Sequence, residues 1–221
     1  MIRIKSLWRC LSQGAVIAGV VLTCGSGVRA QSTVETAAQH MILVDFTTGA
    51  VLAEKNADQL MPPSSMSKIM TAYVVFEALK RGDVRLEDTL PVSERAWRMQ
   101  GSKMFVPLGE RVKVEDLLRG MIIQSGNDAC IVLAEGLSGS EEAFAERMNE
   151  TARRIGLVAS NFRNASGWPD PEHYMTARDL LVLSMRLVAD FPEFYRYYGE
   201  REFTFRSEEH TSDSSHVSES R

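Results

Sequence analysis

The sequence predicts an α+β domain, in which a β-hairpin is followed by a block of helices. Two short runs of strand-forming residues, Met41–Asp45 and Ala50–Glu54, flank a turn that ends in Gly49, which is the pattern of a hairpin. After Pro62 and Pro63, the apolar residues recur with the period of a helix. This order favours an α+β architecture over the alternating strands and helices of a parallel sheet.

Helical periodicity predicts five helices after the hairpin. The fourth has Glu141 and Glu142 in its first turn and Arg153 and Arg154 in its last, an order of charges that complements the helix dipole. The fifth opens with a sequence similar to a capping box, with Asp179 in place of the usual Glu or Gln. The predicted spans are Ser67–Leu79, Val114–Ile123, Asp128–Leu137, Ser140–Ile155 and Thr176–Ala189.

The length and the charge of the chain indicate one domain and give no reason to expect nucleic-acid binding. The 221 residues are 44% hydrophobic and 24% charged, which suits a single globular domain. The net charge is −4, but residues 1–30 carry four basic side chains and no acidic one, so residues 31–221 carry 21 basic and 29 acidic side chains, or −8. A chain this acidic has no general electrostatic attraction to a polyanion.

Residues 1–30 form a predicted secretory signal peptide. A basic start precedes the apolar stretch Ala15–Thr23, and the small residues of a cleavage site end at Ala30. A membrane anchor is the alternative, but roughly 10 apolar residues are too few for a hydrocarbon core that needs about 20. We therefore expect export and a mature chain that starts at Gln31.

The cysteines and histidines predict no metal or cofactor site. Only Cys130 lies outside the predicted signal peptide, so an internal disulfide is not expected, and its apolar neighbours favour a buried packing role. The four histidines are scattered without the spacing of metal ligands, at His40, His173, His210 and His216.

The first candidate catalytic pair is Ser65 and Lys68, at the start of the first predicted helix. Residues three apart lie on the same face of a helical turn, so the Ser65 hydroxyl and the Lys68 amine can meet. A serine nucleophile needs an adjacent base, and a lysine serves as that base only if burial or nearby positive charge lowers its pKa. The alternative is that Ser64 or Ser65 is simply an N-cap of the helix.

The second candidate segment is Ser125-Gly-Asn127, a turn predicted between two helices. A hydroxyl there can pass a proton to a leaving group, and a carboxamide can bind a substrate carbonyl or orient a lysine. An ordinary interhelical turn is the alternative, because Ser, Gly and Asn all favour turns. The two candidate segments together, each next to an apolar helix in an exported chain, are more specific than either alone.

These segments resemble the serine D-alanyl-D-alanine carboxypeptidases, the low-molecular-mass penicillin-binding proteins of bacterial cell walls. The resemblance covers about residues 37–205. It implies that Ser65 is the nucleophile that becomes acylated, Lys68 its general base, Ser125 a proton relay and Asn127 a substrate-binding residue. The motifs that carry it include Ile42-Leu-Val-Asp45, Pro63-Ser-Ser-Met-Ser-Lys-Ile-Met-Thr71, Ser125-Gly-Asn-Asp-Ala129, Asn164-Ala-Ser-Gly167 and Thr176-Ala-Arg-Asp-Leu180.

The resemblance implies a β-lactamase/D,D-peptidase-like fold, an antiparallel sheet with a helical subdomain. The family's third motif, Lys-Thr-Gly on a β-strand, does not occur in the 221 residues. We therefore expect residues 31–205 to be a partial catalytic domain that lacks its C-terminal strands and is inactive by itself. The membrane anchor that family members often carry at their C-terminus is not visible either, so membrane association stays open.

The activity implied by the resemblance is that of a periplasmic enzyme, which removes the terminal D-Ala from peptidoglycan pentapeptide stems through an acyl-enzyme. β-Lactams would acylate the same serine. A class A β-lactamase is the nearest enzymatic rival, but its second motif has Asp where this chain has Gly126. A non-catalytic peptidoglycan-binding module is the alternative from a different class, and release of D-Ala distinguishes it from the enzyme.

Residues 206–221 are predicted to be a disordered tail. Six of these 16 residues are serine and Val217 is the one aliphatic residue, so the segment cannot bury enough apolar surface to offset its ordering. With suitable codons, the peptide also resembles a translated sequencing-library adapter. One hypothesis is therefore a gene fragment read through into an adapter, and a natural polar tail is the other.

Overall fold

A computed structural model describes residues 35–206 and the backbone of residues 208–211. The predicted signal peptide lies outside these residues. The strands are β1 (Met41–Val44), β2 (Val51–Lys55), β3 (Thr89–Pro91), β4 (Arg111–Lys113), β5 (Glu202–Phe205) and β6 (Glu208–Thr211). The helices are α1 (Lys68–Arg81), α2 (Glu94–Arg98), α3 (Val114–Gln124), α4 (Asn127–Ser138), α5 (Glu141–Ile155), α6 (Ala177–Asp190) and α7 (Pro192–Tyr195).

The described strands pair into three separate two-stranded antiparallel sheets, β1 with β2, β3 with β4 and β5 with β6. The first of these is the predicted hairpin, whose register shifts between Leu43 and Val44. The second pairs two short strands, one before α2 and one after it, and neither strand was predicted from the sequence. The α+β class is therefore confirmed, with helices as the larger part of the described chain.

The predicted helices are present, with ends that differ by one or two residues. The boundary that matters most is the start of α1, which begins at Lys68 because Ser64–Ser67 forms a 3-10 turn instead. The side chain of Ser140 caps α5 by accepting a hydrogen bond from the Ala143 N–H at 3.1 Å. This cap and the acidic first turn explain why α5 starts where the sequence predicts.

The core forms around α4, which packs against α1, α2, α3 and α5. Every residue of α4 from Asn127 to Ala134 is buried, including the polar Asn127 and Asp128. A helix that is apolar on all sides can only be stable inside a domain. Within the described residues, no helix is both long and apolar enough to cross a membrane.

The 161–175 segment connects α5 to α6 and returns along the start of α1. Isolated β-bridges join Met175 to Met61 and Tyr174 to Asn161. Thr176 caps α6 by accepting from the Asp179 N–H at 3.0 Å. The Asp179 carboxylate accepts hydrogen bonds from the loop before the segment, at Val158, Ala159 and Ser160. The segment is therefore fixed at both ends.

The prediction of disorder across 206–221 is wrong for its first part. Residues Glu208–Thr211 form β6, which pairs antiparallel with β5. Arg206 at the turn between them forms an ion pair with Glu110. Low apolar content predicted the disorder, whereas a strand pairs through its backbone and needs no apolar side chain for that. Residues 212–221 lie outside the described part of the chain.

Candidate active site

The predicted nucleophile and base lie side by side at the start of α1. Ser65 belongs to the 3-10 turn and Lys68 is the first residue of the helix. The Lys68 Nζ lies 3.1 Å from the Ser65 Oγ, as the spacing of three residues predicts. Neither the turn nor the helix starts with a side-chain capping bond, so the N-cap alternative for these serines is wrong.

Lys68 is a buried amine, and no carboxylate of the described residues is among its hydrogen-bond partners. Its Nζ contacts the Ser65 hydroxyl and donates to the Ser166 carbonyl at 2.9 Å. Burial lowers the pKa of Lys68 below its usual value, because the interior penalises the charged ammonium. A lower pKa makes the neutral amine more accessible near neutrality, which is the form that can accept a proton from a serine.

Ser125 faces the same space as the Ser65–Lys68 pair. It ends α3 in the left-handed conformation, with φ 57°. This conformation turns the chain sharply between α3 and α4, so a polar side chain appears between two apolar helices. A cavity of about 100 Å³ is lined by Ser65, Lys68, Ile69, Met121, Ile122, Ser125 and Tyr198.

Asn127 is the predicted site residue that does not line this cavity. Its side-chain amide donates to the Gln100 carbonyl at 2.8 Å, and its backbone N–H donates to the Ser102 carbonyl at 2.8 Å. Asn127 therefore fixes the neighbouring 100–102 segment. Its role in binding substrate stays a prediction.

Asp128, which follows the second motif directly, supports the Ser125 turn. Its fully buried carboxylate accepts hydrogen bonds from the N–H groups of Met104 and Val106, at 3.0 and 3.1 Å. A Cβ on Gly126 would lie 3.1 Å from this carboxylate and 3.3 Å from the Met104 nitrogen, so the turn packs directly on the 104–106 segment. Asp128 lies within the motif Ser125-Gly-Asn-Asp-Ala129, but the sequence predicted no role for it.

The 161–175 segment supports the other side of the cavity, a role that was not predicted from the sequence. Besides the bond from Lys68 to the Ser166 carbonyl, Thr71 of α1 donates to the Ala165 carbonyl at 2.6 Å. Gly167 has φ +79°, and a Cβ there would overlap the Ser64 carbonyl oxygen. The available signal was the motif Asn164-Ala-Ser-Gly167, whose glycine permits this close approach of two backbones.

Glu141 connects this segment to α5. The side chain is buried, and its Oε1 accepts from the Ala165 N–H at 3.0 Å while its Oε2 accepts from Arg95 at 2.5 Å. Burial raises the pKa of Glu141, and the hydrogen bond from Ala165 and the charge of Arg95 oppose that shift. The sequence predicted only a favourable interaction of Glu141 with the helix dipole.

Cys130 is buried in α4, in line with the packing role predicted for it. Burial raises the pKa of the thiol to about 12, so the reactive thiolate is strongly disfavoured. The described residues contain no group of three His, Cys, Asp or Glu side chains that could hold a metal ion.

The fold and the Ser65–Lys68–Ser125 cavity define a class of protein that comparison with known families identifies. The peptidase S11 family, described as D-alanyl-D-alanine carboxypeptidase, matches residues 27–218. The chain therefore belongs to the D-alanyl-D-alanine carboxypeptidase family, and the family predicted from the sequence motifs is confirmed.

Individual relatives agree with this assignment. The chain is 42% identical over 214 residues to D-alanyl-D-alanine carboxypeptidase DacC of Escherichia coli, a match that covers 93% of this chain and 53% of that protein. The chain thus spans about half the length of the curated relatives it matches.

Solved structures show the same fold. Penicillin binding protein 5 of Haemophilus influenzae is 39% identical with a TM-score of 0.79, over 82% of this chain and 54% of that one. Penicillin-binding protein D2 of Listeria monocytogenes, in its ampicillin-bound form, is 27% identical with a TM-score of 0.74, over 84% of this chain and 75% of that one. These likenesses confirm the predicted D,D-peptidase-like fold.

Proposed function

We propose that the protein is a serine D,D-carboxypeptidase, which removes the terminal D-Ala from peptidoglycan pentapeptide stems through an acyl-enzyme. The observation that carries this proposal is the buried Lys68 amine 3.1 Å from the Ser65 hydroxyl, to which no carboxylate in the described part of the chain is hydrogen-bonded. That arrangement supplies a neutral base next to a nucleophile. Membership of the family supplies the substrate class.

In the proposed acylation step, the Ser65 Oγ attacks the carbonyl carbon of the penultimate D-Ala, and its proton passes to the Lys68 Nζ. The tetrahedral intermediate then collapses, the C–N bond to the terminal D-Ala breaks, and the leaving nitrogen receives a proton through the Ser125 hydroxyl. Water hydrolyses the remaining ester and releases the shortened peptide. Asn127 is proposed to bind the substrate, next to the cavity that holds the other three residues.

β-Lactams are the proposed inhibitors, because their strained amide can acylate the same serine. The ampicillin-bound structure of the Listeria monocytogenes relative supports this part of the proposal. The basic and apolar pattern of residues 1–30 supports export, and we propose the periplasm as the place of action.

The test uses the full-length gene product and a fluorescent penicillin. We expect labelling of the wild type and of Ser64→Ala, in which the neighbouring serine is changed, and no labelling of Ser65→Ala. Free D-Ala should be released from diacetyl-Lys-D-Ala-D-Ala by the first two proteins alone. The same assays on the 221-residue chain test whether it is inactive by itself.

Labelling that persists in Ser65→Ala would refute the assignment of the nucleophile. Peptide binding without D-Ala release would favour a non-catalytic peptidoglycan-binding module. Rapid penicillin hydrolysis without accumulation of a labelled protein would favour a β-lactamase.

A further inference from the structure

The turn that carries Ser65 has a second buried serine, which the proposed mechanism does not use. Ser67 lies between Ser65 and Lys68 in the chain, and its side chain is fully buried. Its Oγ lies 2.9 Å from the Nε2 of His173, a residue 106 positions away in the 161–175 segment. This bond is therefore a direct tie between the nucleophile turn and a distant part of the chain.

The surroundings of His173 define how the imidazole bonds. The backbone N–H of Arg163 approaches the Nδ1 at 3.4 Å, so Nδ1 is the acceptor and Nε2 carries the proton that is donated to Ser67. Burial lowers the pKa of His173 to about 4, and the nearby Asp170 opposes that shift. The imidazole is consequently neutral near neutrality and acts as a fixed hydrogen-bond donor.

His173 rests on a rigid support. The Phe162 ring packs edge-on against the imidazole, with centroids 5.6 Å apart and an angle of 79° between the rings, close to perpendicular. Asn149 of α5 holds Phe162 by two hydrogen bonds of 2.8 Å, one to its N–H and one to its carbonyl. The donor that meets Ser67 is thus anchored through Phe162 to a long helix.

The Ser64–Ser67 turn, which carries the proposed nucleophile, needs contacts from outside it, because one of its residues has an unfavourable backbone conformation. Ser64 has φ 48°, and left-handed backbone at a residue other than glycine persists only where its surroundings enforce it. The Gly167 backbone packs against the Ser64 carbonyl on one side of Ser65. The Ser67–His173 bond acts on the other side.

We propose that His173 is a positioning residue for acylation, which holds Ser65 in line with Lys68 by fixing Ser67 through a hydrogen bond from its Nε2. This inference rests on the proposed function. His173 does not line the cavity, and it takes no part in the proposed transfer of protons or in the bonds that form and break. A displacement of about 1 Å at a reacting group can lower a rate on the order of 100-fold, so a lost tie at Ser67 is expected to be visible in catalysis.

The test compares two amide variants of His173 in the full-length protein. His173→Gln places an N–H near the position of Nε2, whereas His173→Asn is too short and reproduces only the Nδ1 position. We measure the first-order acylation rate at saturating penicillin and the concentration that gives half of it. His173→Gln should stay within about threefold of the wild-type rate, and His173→Asn should fall on the order of 10-fold to 100-fold. The half-saturating concentration should stay within about twofold in both, because His173 does not line the cavity.

Ser67→Ala removes the other partner and keeps the imidazole, so it tests the same bond with little change in packing. Its rate should fall as far as that of His173→Asn, and the double variant should be no slower than the slower single one. His40→Asn changes a histidine that does not line the cavity of Ser65, Lys68 and Ser125, and it should leave the rate unchanged. Thermal unfolding of each variant establishes that it is folded at the assay temperature.

Wild-type acylation rates in folded Ser67→Ala and His173→Asn would overturn the inference and leave the proposed function standing. Equal losses in His173→Gln and His173→Asn would also overturn it, since the Nε2 donor would then not be what matters. A wild type that no penicillin labels would overturn the proposed function, and this inference with it.

Discussion

The turn that carries Ser65 and the turn that carries Ser125 line one cavity. The residues that fix the first turn are far from it in the sequence, whereas the residue that fixes the second is close. The Ser65 turn is held by the 161–175 segment, through Gly167 and His173 about a hundred residues away. The Ser125 turn is held by Asp128, which follows it within three residues and bonds to the 104–106 segment. One wall depends on the close fit of two backbones and the other on a buried carboxylate.

This difference determines which substitutions should damage each wall. At the Ser65 turn, the most sensitive positions should be those where the segment touches the turn. At the Ser125 turn, the most sensitive position should be the acceptor that collects the N–H groups.

The largest effect is expected for Gly167→Ala. The new Cβ would overlap the Ser64 carbonyl, and the alanine would have to keep the left-handed backbone of the glycine. We therefore expect a loss of at least about 3 kcal/mol in the free energy of unfolding. Acylation should fall as well, because the clash displaces Ser64 next to the nucleophile. Urea unfolding and penicillin labelling measure the two effects.

Gly82→Ala is the matched control. Gly82 has nearly the same φ, +77° against +79°, but nothing lies within 4 Å of its added Cβ. It should lose only about 1–2 kcal/mol, the cost of a left-handed backbone at alanine. Equal losses in the two variants would show that conformation, not contact with the Ser65 turn, explains the sensitivity of Gly167.

A smaller loss, about 2–3 kcal/mol, is expected for Asp128→Ala. The change leaves the buried N–H groups of Met104 and Val106 without their acceptor. Asp88→Ala is the control, since Asp88 also accepts a backbone N–H, from Arg85 at 2.8 Å, but at an exposed position. That variant should lose less than about 1 kcal/mol, because water replaces the lost acceptor. Unfolding by urea measures both, and similar losses would contradict the role given to the buried carboxylate.

At the candidate site, the sequence was informative where the structure depends on neighbouring residues. Ser65 and Lys68 meet because three residues make one helical turn. Ser140 caps α5 because its hydroxyl oxygen accepts from the Ala143 N–H, only three residues further along the chain. The Ser125 turn follows from residues that favour turns between two apolar helices. These features are encoded within a few positions of each other.

The sequence was uninformative where the partner lies far along the chain. Nothing in the residues around His173 shows that its imidazole meets Ser67, and nothing around Ala165 shows that Glu141 bonds to its N–H. The pairing of β6 with β5 was missed for a different reason, since these strands are neighbours in the chain but backbone hydrogen bonds leave no mark in side-chain composition. The side chains that border the cavity could thus be predicted, whereas most of what fixes them in place could not.

The smallest effect is expected at Glu141, which supports the Ser65 side of the cavity through Ala165, and its size depends on pH. Burial raises the pKa of Glu141 above its usual value of 4.5, so the folded protein binds the proton more tightly than the unfolded chain does. The stabilisation linked to this shift is fully present below pH 4.5 and is lost as the pH rises through the raised pKa. Glutamine stays neutral over that range. The free energy of unfolding of Glu141→Gln minus that of the wild type should therefore increase from about pH 4 to about pH 7.

Glu142→Gln should give the opposite trend, which makes it the control for the neighbouring position. Glu142 is exposed and binds the same Arg95, whose hydrogen bond lowers the pKa of Glu142. Its contribution to stability is present above pH 4.5 and is lost as the pH falls through the lowered pKa, so the variant should become less stable relative to the wild type as the pH rises. Urea unfolding at several pH values measures both differences.

If the two trends had the same sign, burial would not dominate the pKa of Glu141. The Ala165 contact would then be held by an ion pair between Glu141 and Arg95 rather than by a desolvated carboxylate. The Ser65 side of the cavity would then depend on charge more than on the fit of its backbones, and the contrast with the Asp128 side would be smaller.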